Sequence, residues 1–198
     1  MSKNGNESKW LKMEKINKEV RKCEKCPLSN ERHHAVPGDG DVNARIMLIG
    51  EAPGRREDST GKPFDGAAGK FLDELLAHAG LERCEVYITN TVKCRPPGNR
   101  KPNPAELAAC RGYLEMQIRI IKPDILCLLG TVALESLLGE KQISRLHGIP
   151  VRKGGMVYLP LYHPAAAIYN RKLRDVMLSD LKRLGRLAEG RAKRTKDT

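Results

Sequence analysis

Four short apolar runs, each ending at a small or polar residue and each separated from the next by a stretch of helical character, constrain this chain more than any other feature. Arg45-Ile-Met-Leu-Ile49 ends at Gly50, Val86-Tyr-Ile-Thr89 at Asn90, Asp124 to Leu129 at Gly130, and Met156 to Leu161 just before Tyr162-His163. Unbroken runs of that length are what strands buried on both faces look like. Between them, Ala67 to Ala79 sets Phe71, Leu72, Leu75 and Leu76 on one helical face, with Gly80 as its C′ residue. Pro104 suits the first turn of a helix running to about Ile121, and Thr131 to Leu138 also reads as helix. A polar helix over Leu11 to Lys22 precedes the alternation and is stopped by Pro27; a basic helix from about Lys172 to Ala188 follows it. Strands alternating with helices predict an α/β fold, a three-layer α/β/α arrangement with a parallel sheet covered on both faces. No repeat and no long linker divides the chain, so one domain over residues 1–198 is expected, with its core at about 20–182 and a basic tail at about 189–198.

In such sheets ligands bind beyond the carboxyl ends of the strands. Gly50-Glu-Ala-Pro-Gly54, Asn90 and His163-Pro-Ala165 all follow strands, so they should converge although they are far apart in the chain. A glycine-punctuated loop is expected from Gly50 to Gly66. Within it Phe64, between Pro63 and Asp65, is placed either to stack on a planar ligand or to peg into the core, and the residues leave both open. Pro164 should hold His163 out of a helix at its strand end. The stretch Gly54 to Pro63 is not a phosphate-binding P-loop: six residues separate Gly54 from Gly61 where that motif has four, and Pro63 stands where it needs Ser or Thr.

Thirty-six Lys and Arg against 24 Asp and Glu leave a net charge of +12. Residues 1–26 carry 8 basic and 4 acidic groups and residues 171–198 carry 10 and 4, so the ends supply most of the excess. That balance suits a polyanionic partner, although a charged face also serves solubility alone. The longest apolar run, Ile125 to Leu129, is far below the ~20 residues of a membrane span. The first ten residues contain no apolar stretch of a signal peptide, so a cytoplasmic protein is expected. Its six cysteines are then thiols and not a disulfide framework. Cys23 and Cys26 form a C-x2-C pair, Cys94 follows the second strand, and Cys110 falls in the helix beyond a loop with Pro96, Pro97, Pro102 and Pro104. Such a loop forms no ladder hydrogen bonds, and a metal centre gripping Cys94 and Cys110 would fix both its ends. Four thiolates suit tetrahedral zinc or an iron–sulfur cluster, and ligand chemistry leaves the two open. Cys127, inside an apolar run, reads as a small hydrophobe, and Cys84 as a surface or half-buried thiol. Lys93, Arg95, Arg100 and Lys101, with no acid between Glu85 and Glu106, are placed to contact phosphates or to offset thiolate charge.

Taken in order, Gly50-Glu-Ala-Pro-Gly54…Glu57-Asp58…Gly61-Lys-Pro-Phe64…Gly66…Gly69, then Thr89-Asn90…Lys93-Cys94-Arg-Pro-Pro-Gly-Asn-Arg100, then Tyr162-His-Pro-Ala-Ala-Ala167, resemble the family 4 (iron–sulfur) uracil-DNA glycosylases over roughly Val20 to Lys182. The resemblance implies a central four-stranded parallel sheet and a [4Fe-4S] cluster on Cys23, Cys26, Cys94 and Cys110. It further implies a monofunctional glycosylase, a monomer with no membrane role, that flips uracil from single- or double-stranded DNA and hydrolyses its N-glycosidic bond in base excision repair. Gly50, Glu51, Ala52, Phe64, Asn90 and His163 are then the base-binding residues, with Asn90 reading the uracil edge and His163 stabilising the departing base. Ala52 stands where better-known branches of the superfamily carry a catalytic Asp, which leaves Glu51 and Glu57 as the candidate carboxylates. Asp65 stands where many relatives have Val, and the loop between Cys94 and Cys110 lacks the histidine of the branch that captures uracil covalently. A glycosylase of shifted base specificity and a non-catalytic iron–sulfur module that binds DNA or transfers electrons are the alternatives.

Overall fold

The computed structural model describes residues 8–194, with side chains to Glu189; the rest of the expected basic tail at about 189–198 lies outside the described residues. Helix α1 (Lys9–Arg21) is capped by the Ser8 hydroxyl, which accepts from the Leu11 N–H, and one turn, α2 (Leu28–Glu31), follows Pro27. The alternation then runs β1 (Asp39–Gly40), β2 (Ile46–Gly50), α3 (Arg55–Thr60), α4 (Ala67–His78), β3 (Val86–Asn90), α5 (Pro104–Ile121), β4 (Ile125–Leu129) and α6 (Thr131–Leu138). A single turn α7 (Ile143–Leu146), β5 (Val151–Lys153), β6 (Met156–Leu161), α8 (Pro164–Tyr169) and α9 (Leu173–Arg194) complete it. Helix α9 outruns the end expected near Ala188.

The four expected strands are present to within a residue at each end. They lie parallel at the centre of a six-stranded sheet of order β1-β3-β2-β4-β6-β5. The two further strands are not legible in the sequence: β1 pairs antiparallel with β3 and β5 antiparallel with β6, and segments of two or three residues have no periodicity to read.

Successive side chains of a strand point to opposite faces, and β2 shows what that does here. Ile46 and Leu48 enter one core with Phe71, Leu72 and Leu75 of α4 and Met177 and Leu181 of α9. Met47 and Ile49 enter the other, with Met13 of α1, Leu114 and Ile121 of α5 and Leu134 of α6. Each such side chain withdrawn from water contributes roughly 1.5–3 kcal/mol, so two covered faces hold the sheet in the three layers the alternation predicts.

One segment expected as loop contains helix, and a further short helix follows the last central strand. Helix α3 interrupts the stretch between Gly50 and Gly66, and α8 starts directly after His163. Pro164 takes the first helical position, where a missing N–H costs nothing and the fixed φ is already correct, so His163 before it stays out of the helix as expected, extended as the N-cap. The chain steps from β2 outward to β3 and then crosses back to β4 and β6, so strand order reverses at β2 and a crevice opens there beyond the carboxyl ends.

Candidate functional site

That crevice is a cleft of about 410 Å³ lined by Glu51, Ala52, Glu57, Phe64, Asn90 and His163 among others. Gly50 stands behind it. In the β2–β3 register Gly50 lies opposite Asn90, and a Cβ on Gly50 would overlap Asn90 Oδ1 and come within 2.8 Å of the Phe64 ring. The missing side chain is what lets Asn90 and Phe64 both close in on Gly50. Asn90 is 2% exposed, and its Oδ1 has no hydrogen-bond partner among the described residues. An orphaned buried acceptor costs on the order of 1–3 kcal/mol, which a ligand N–H would recover.

Phe64 has φ +50, a left-handed backbone that a bulky residue adopts only when its surroundings impose it. Two contacts impose it. The Phe64 carbonyl lies so close to Gly69 that no side chain fits there, and Glu57 ties down the next two residues: Glu57 Oε1 accepts from the Asp65 and Gly66 N–H groups, each at 3.0 Å, while Oε2 accepts from Gly54 N–H at 3.0 Å. Both Glu57 oxygens are thus engaged with backbone. The Phe64 ring lies beside the His163 ring, centroids 5.5 Å apart and planes 28° apart.

His163 is oriented by its role as N-cap of α8. Its Nδ1 accepts from the Ala165 N–H at 3.2 Å, so the remaining proton of a neutral ring sits on Nε2. Burial pushes its pKa down to about 4, against the pull of the Glu57 carboxylate. Above that pH His163 is a neutral N–H donor. Glu51 is half-buried, and desolvation raises its carboxyl pKa while Lys101 draws it down. Its backbone carbonyl accepts from the Thr91 hydroxyl at 2.5 Å, which fixes the residue after β2 against the residue after β3.

Cys23, Cys26, Cys94 and Cys110 all face one small cavity with Val20 and Tyr113, and none is in a disulfide. The donor set is thiol only. Arg32 Nη1 donates to Cys94 Sγ at 3.1 Å and the Lys93 backbone N–H to Cys110 Sγ at 3.3 Å, the outer contacts that steady thiolate ligands. Burial pushes the Cys110 thiol up to about 11 and raises that of Cys94, an unfavourable setting for bare thiolates that a cationic centre would reverse. Four thiols around one cavity are a donor set for a thiolate-bound metal centre. Cys127 is buried inside β4 and Cys84 is exposed, both apart from the four.

Sequence reasoning missed three parts of this region. Lys93, expected as a phosphate contact or a thiolate counter-charge, is fully buried: its Nζ donates to Thr89 Oγ1, Asn90 O and Gln117 Oε1 at 2.6, 2.8 and 2.7 Å. Burial lowers its pKa to about 8, opposed by the Cys110 charge. Arg100 pairs with both oxygens of the buried Glu106, so it anchors the proline-rich loop to the start of α5. Glu57, a candidate for catalysis by its residue type, is a loop organiser, and its position three residues after Gly54 is the capping-box spacing that signals this.

Comparison with known proteins agrees with this geometry. The family model for the uracil DNA glycosylase superfamily matches residues 37–183. The type-4 uracil-DNA glycosylase of Sulfurisphaera tokodaii is 46% identical over 186 residues, covering 89% of this chain and 84% of that protein. That of Thermotoga maritima is 44% identical over 176 residues, covering 86% of this chain and 92% of its own length. That of Archaeoglobus fulgidus is 43% identical over 184 residues, with 88% and 92% covered.

Proposed function

The chain belongs to the uracil DNA glycosylase superfamily, among the type-4 uracil-DNA glycosylases, and removes uracil from DNA; from that membership we propose how its own residues do so. The cleft receives a uracil flipped from the stack, and contact with the Phe64 ring offsets part of the few kcal/mol that unstacking costs. Asn90 Oδ1 accepts the uracil N3–H and its amide NH2 donates to O4. Cytosine presents the opposite pattern at both positions and would leave buried groups unpaired. The orphaned Oδ1 of Asn90 carries this reading, because a base with an N–H at that edge completes it.

His163 Nε2–H donates to uracil O2. As the N1–C1′ bond breaks, its electron pair passes to the base and negative charge grows on O2, so this hydrogen bond strengthens in the transition state more than in the ground state. A neutral imidazole can support that anion without surrendering its proton. The sugar left behind is oxocarbenium-like. Glu51, whose carboxylate is not committed to backbone N–H groups as that of Glu57 is, stabilises it and orients the water that adds to C1′. Water adds its hydroxyl to C1′ and releases one proton to solvent, the departing uracil anion takes up one proton from solvent, and the products are free uracil and an abasic site.

Cys23, Cys26, Cys94 and Cys110 hold a [4Fe-4S] cluster, which when bound supplies a covalent tie between the turn after α1, the segment after β3 and α5. The all-thiol donor set and its N–H···S contacts support that assignment. The DNA is engaged in single- or double-stranded form by a chain of net charge +12.

Single-turnover release of uracil from matched oligonucleotides tests the site. His163→Ala should slow excision on the order of 10²–10³-fold with little change in DNA binding. Asn90→Asp should also lose uracil excision, since a second acceptor replaces the donor to O4. Wild-type rates in either variant would remove that residue from the site.

A further inference from the structure

The proposed chemistry makes no use of Lys93, a fully buried ammonium between the cysteine cavity and the end of β3. We infer that Lys93 is a positioning residue for uracil recognition: it fixes the Asn90 peptide to the cysteine-bearing shell and so sets the direction in which the Asn90 carboxamide faces the base. The inference rests on the reading of Asn90 as the residue that reads uracil.

The β2–β3 ladder ends at the pair Gly50 and Asn90, and beyond it the chain continues with Thr91 N–H donating to Gly50 O and Val92 N–H to Glu51 O. Those bonds hold one side of the turn. On the other, the Asn90 carbonyl accepts from Lys93 Nζ at 2.8 Å, on the same residue as the side chain that meets the base. An ammonium has three protons, and here the other two go to Thr89 Oγ1 and Gln117 Oε1. Both acceptors are anchored in turn, since Thr89 Oγ1 and Gln117 Nε2 each donate to Pro37 O, at 2.7 and 2.8 Å. The Lys93 main chain is equally fixed, with its N–H on Cys110 Sγ and its carbonyl accepting from Val36 N–H at 2.7 Å. The side chain thus runs from the cysteine wall back to the strand end with no freedom at either end. Burying a charge is costly, and an apolar side chain of the same length would fill the space more cheaply if packing were all that mattered. A counter-charge for thiolates would not need to be spent on the Asn90 carbonyl.

A double-mutant cycle on the full iron-loaded chain separates these roles, read by single-turnover excision, by iron content with visible absorbance, and by urea unfolding. Lys93→Met should retain iron and slow excision on the order of 10–100-fold. In an Asn90→Ala background the same substitution should cost less than about threefold more, because the residue it acts through is gone. Effects that simply multiply would show that Lys93 acts elsewhere and would overturn the inference. Lys93→Arg keeps charge and donors but moves the head group, so it should fail to restore the rate; rescue by Arg would assign the lysine to charge balance. If Lys93→Met does not fold, Lys93→Arg takes its place in the cycle, and if neither folds with iron the lysine serves stability and the inference falls. Wild-type excision by Asn90→Ala alone would remove the underlying reading of Asn90, a different failure from a multiplicative cycle built on a defective Asn90→Ala.

Discussion

A histidine whose Nδ1 is taken by a backbone N–H has one place left for its proton, and His163 keeps that proton aimed into the cleft without becoming charged. Its folded pKa, about 4, lies below the ordinary histidine value, and this fixes a pH signature. The acid limb of the single-turnover rate should come first from Glu51, whose carboxyl pKa is raised by burial, and should be absent in Glu51→Gln; in that variant a transition centred near the free-histidine value of about 6.5 would mean that an imidazolium does the work. Stability follows the same logic. Between the folded and unfolded pKa values the unfolded chain binds the extra proton, so the contribution of His163 is intact above about 6.5 and is lost as pH falls toward 4. Glu57 offers a second test at this scale. Glu57→Gln would turn an amide NH2 or a weaker oxygen toward three backbone donors, so a loss of about 1–3 kcal/mol in urea unfolding is expected, together with slower excision as Phe64 leaves its imposed backbone.

At the scale of elements, what the sequence makes legible is what repeats. Long runs such as Ile125 to Leu129, and faces such as Phe71, Leu72, Leu75 and Leu76, announce themselves because burial selects the same residue type several times over. Asn90 and His163 are legible by a different route: each is a polar residue directly after an apolar strand, where the fold places its ligand. Short elements have no such redundancy. β1 is Asp39-Gly40 and exists because β3 offers it a partner, while α3 and α8 arise from single capping arrangements around Glu57 and His163. Lys93 misleads because charge is normally a surface property, and the three acceptors that bury it come from two different elements, β3 and α5. The end of α8 also places Tyr169, 90% exposed, at the rim of the cleft beside Ile168, 50% exposed. An exposed aromatic there can enter the gap that a flipped base leaves in a duplex. Tyr169→Ala should therefore slow excision from double-stranded DNA roughly tenfold while leaving a single-stranded substrate nearly unaffected, and an equal slowing on both would contradict this role.

At the scale of the whole molecule, the two ends of the chain carry most of the excess positive charge, and the proposal that they meet DNA has a direct test. Affinity should fall steeply with salt, and removing residues 190–198, which include Arg191, Lys193, Arg194 and Lys196, should make the slope of log affinity against log salt shallower by about 0.9 for every phosphate that those side chains neutralise. An unchanged slope would mean that other parts of the surface hold the DNA. Purified protein should carry about four iron atoms per chain and lose them on Cys23→Ser, Cys26→Ser, Cys94→Ser or Cys110→Ser but not on Cys84→Ser or Cys127→Ser, whereas one zinc and no iron would exclude the cluster. The two outermost strands carry a quieter consequence. A bare sheet margin invites a second copy to add itself as the next strand, and repetition of that step makes fibres. Here the margins are two and three residues long and carry Asp39 at one side and Arg152 and Lys153 at the other. Neither gives an incoming chain enough length to pair with, and both set charge against it. Strand-by-strand addition of a second copy at either margin is thereby disfavoured.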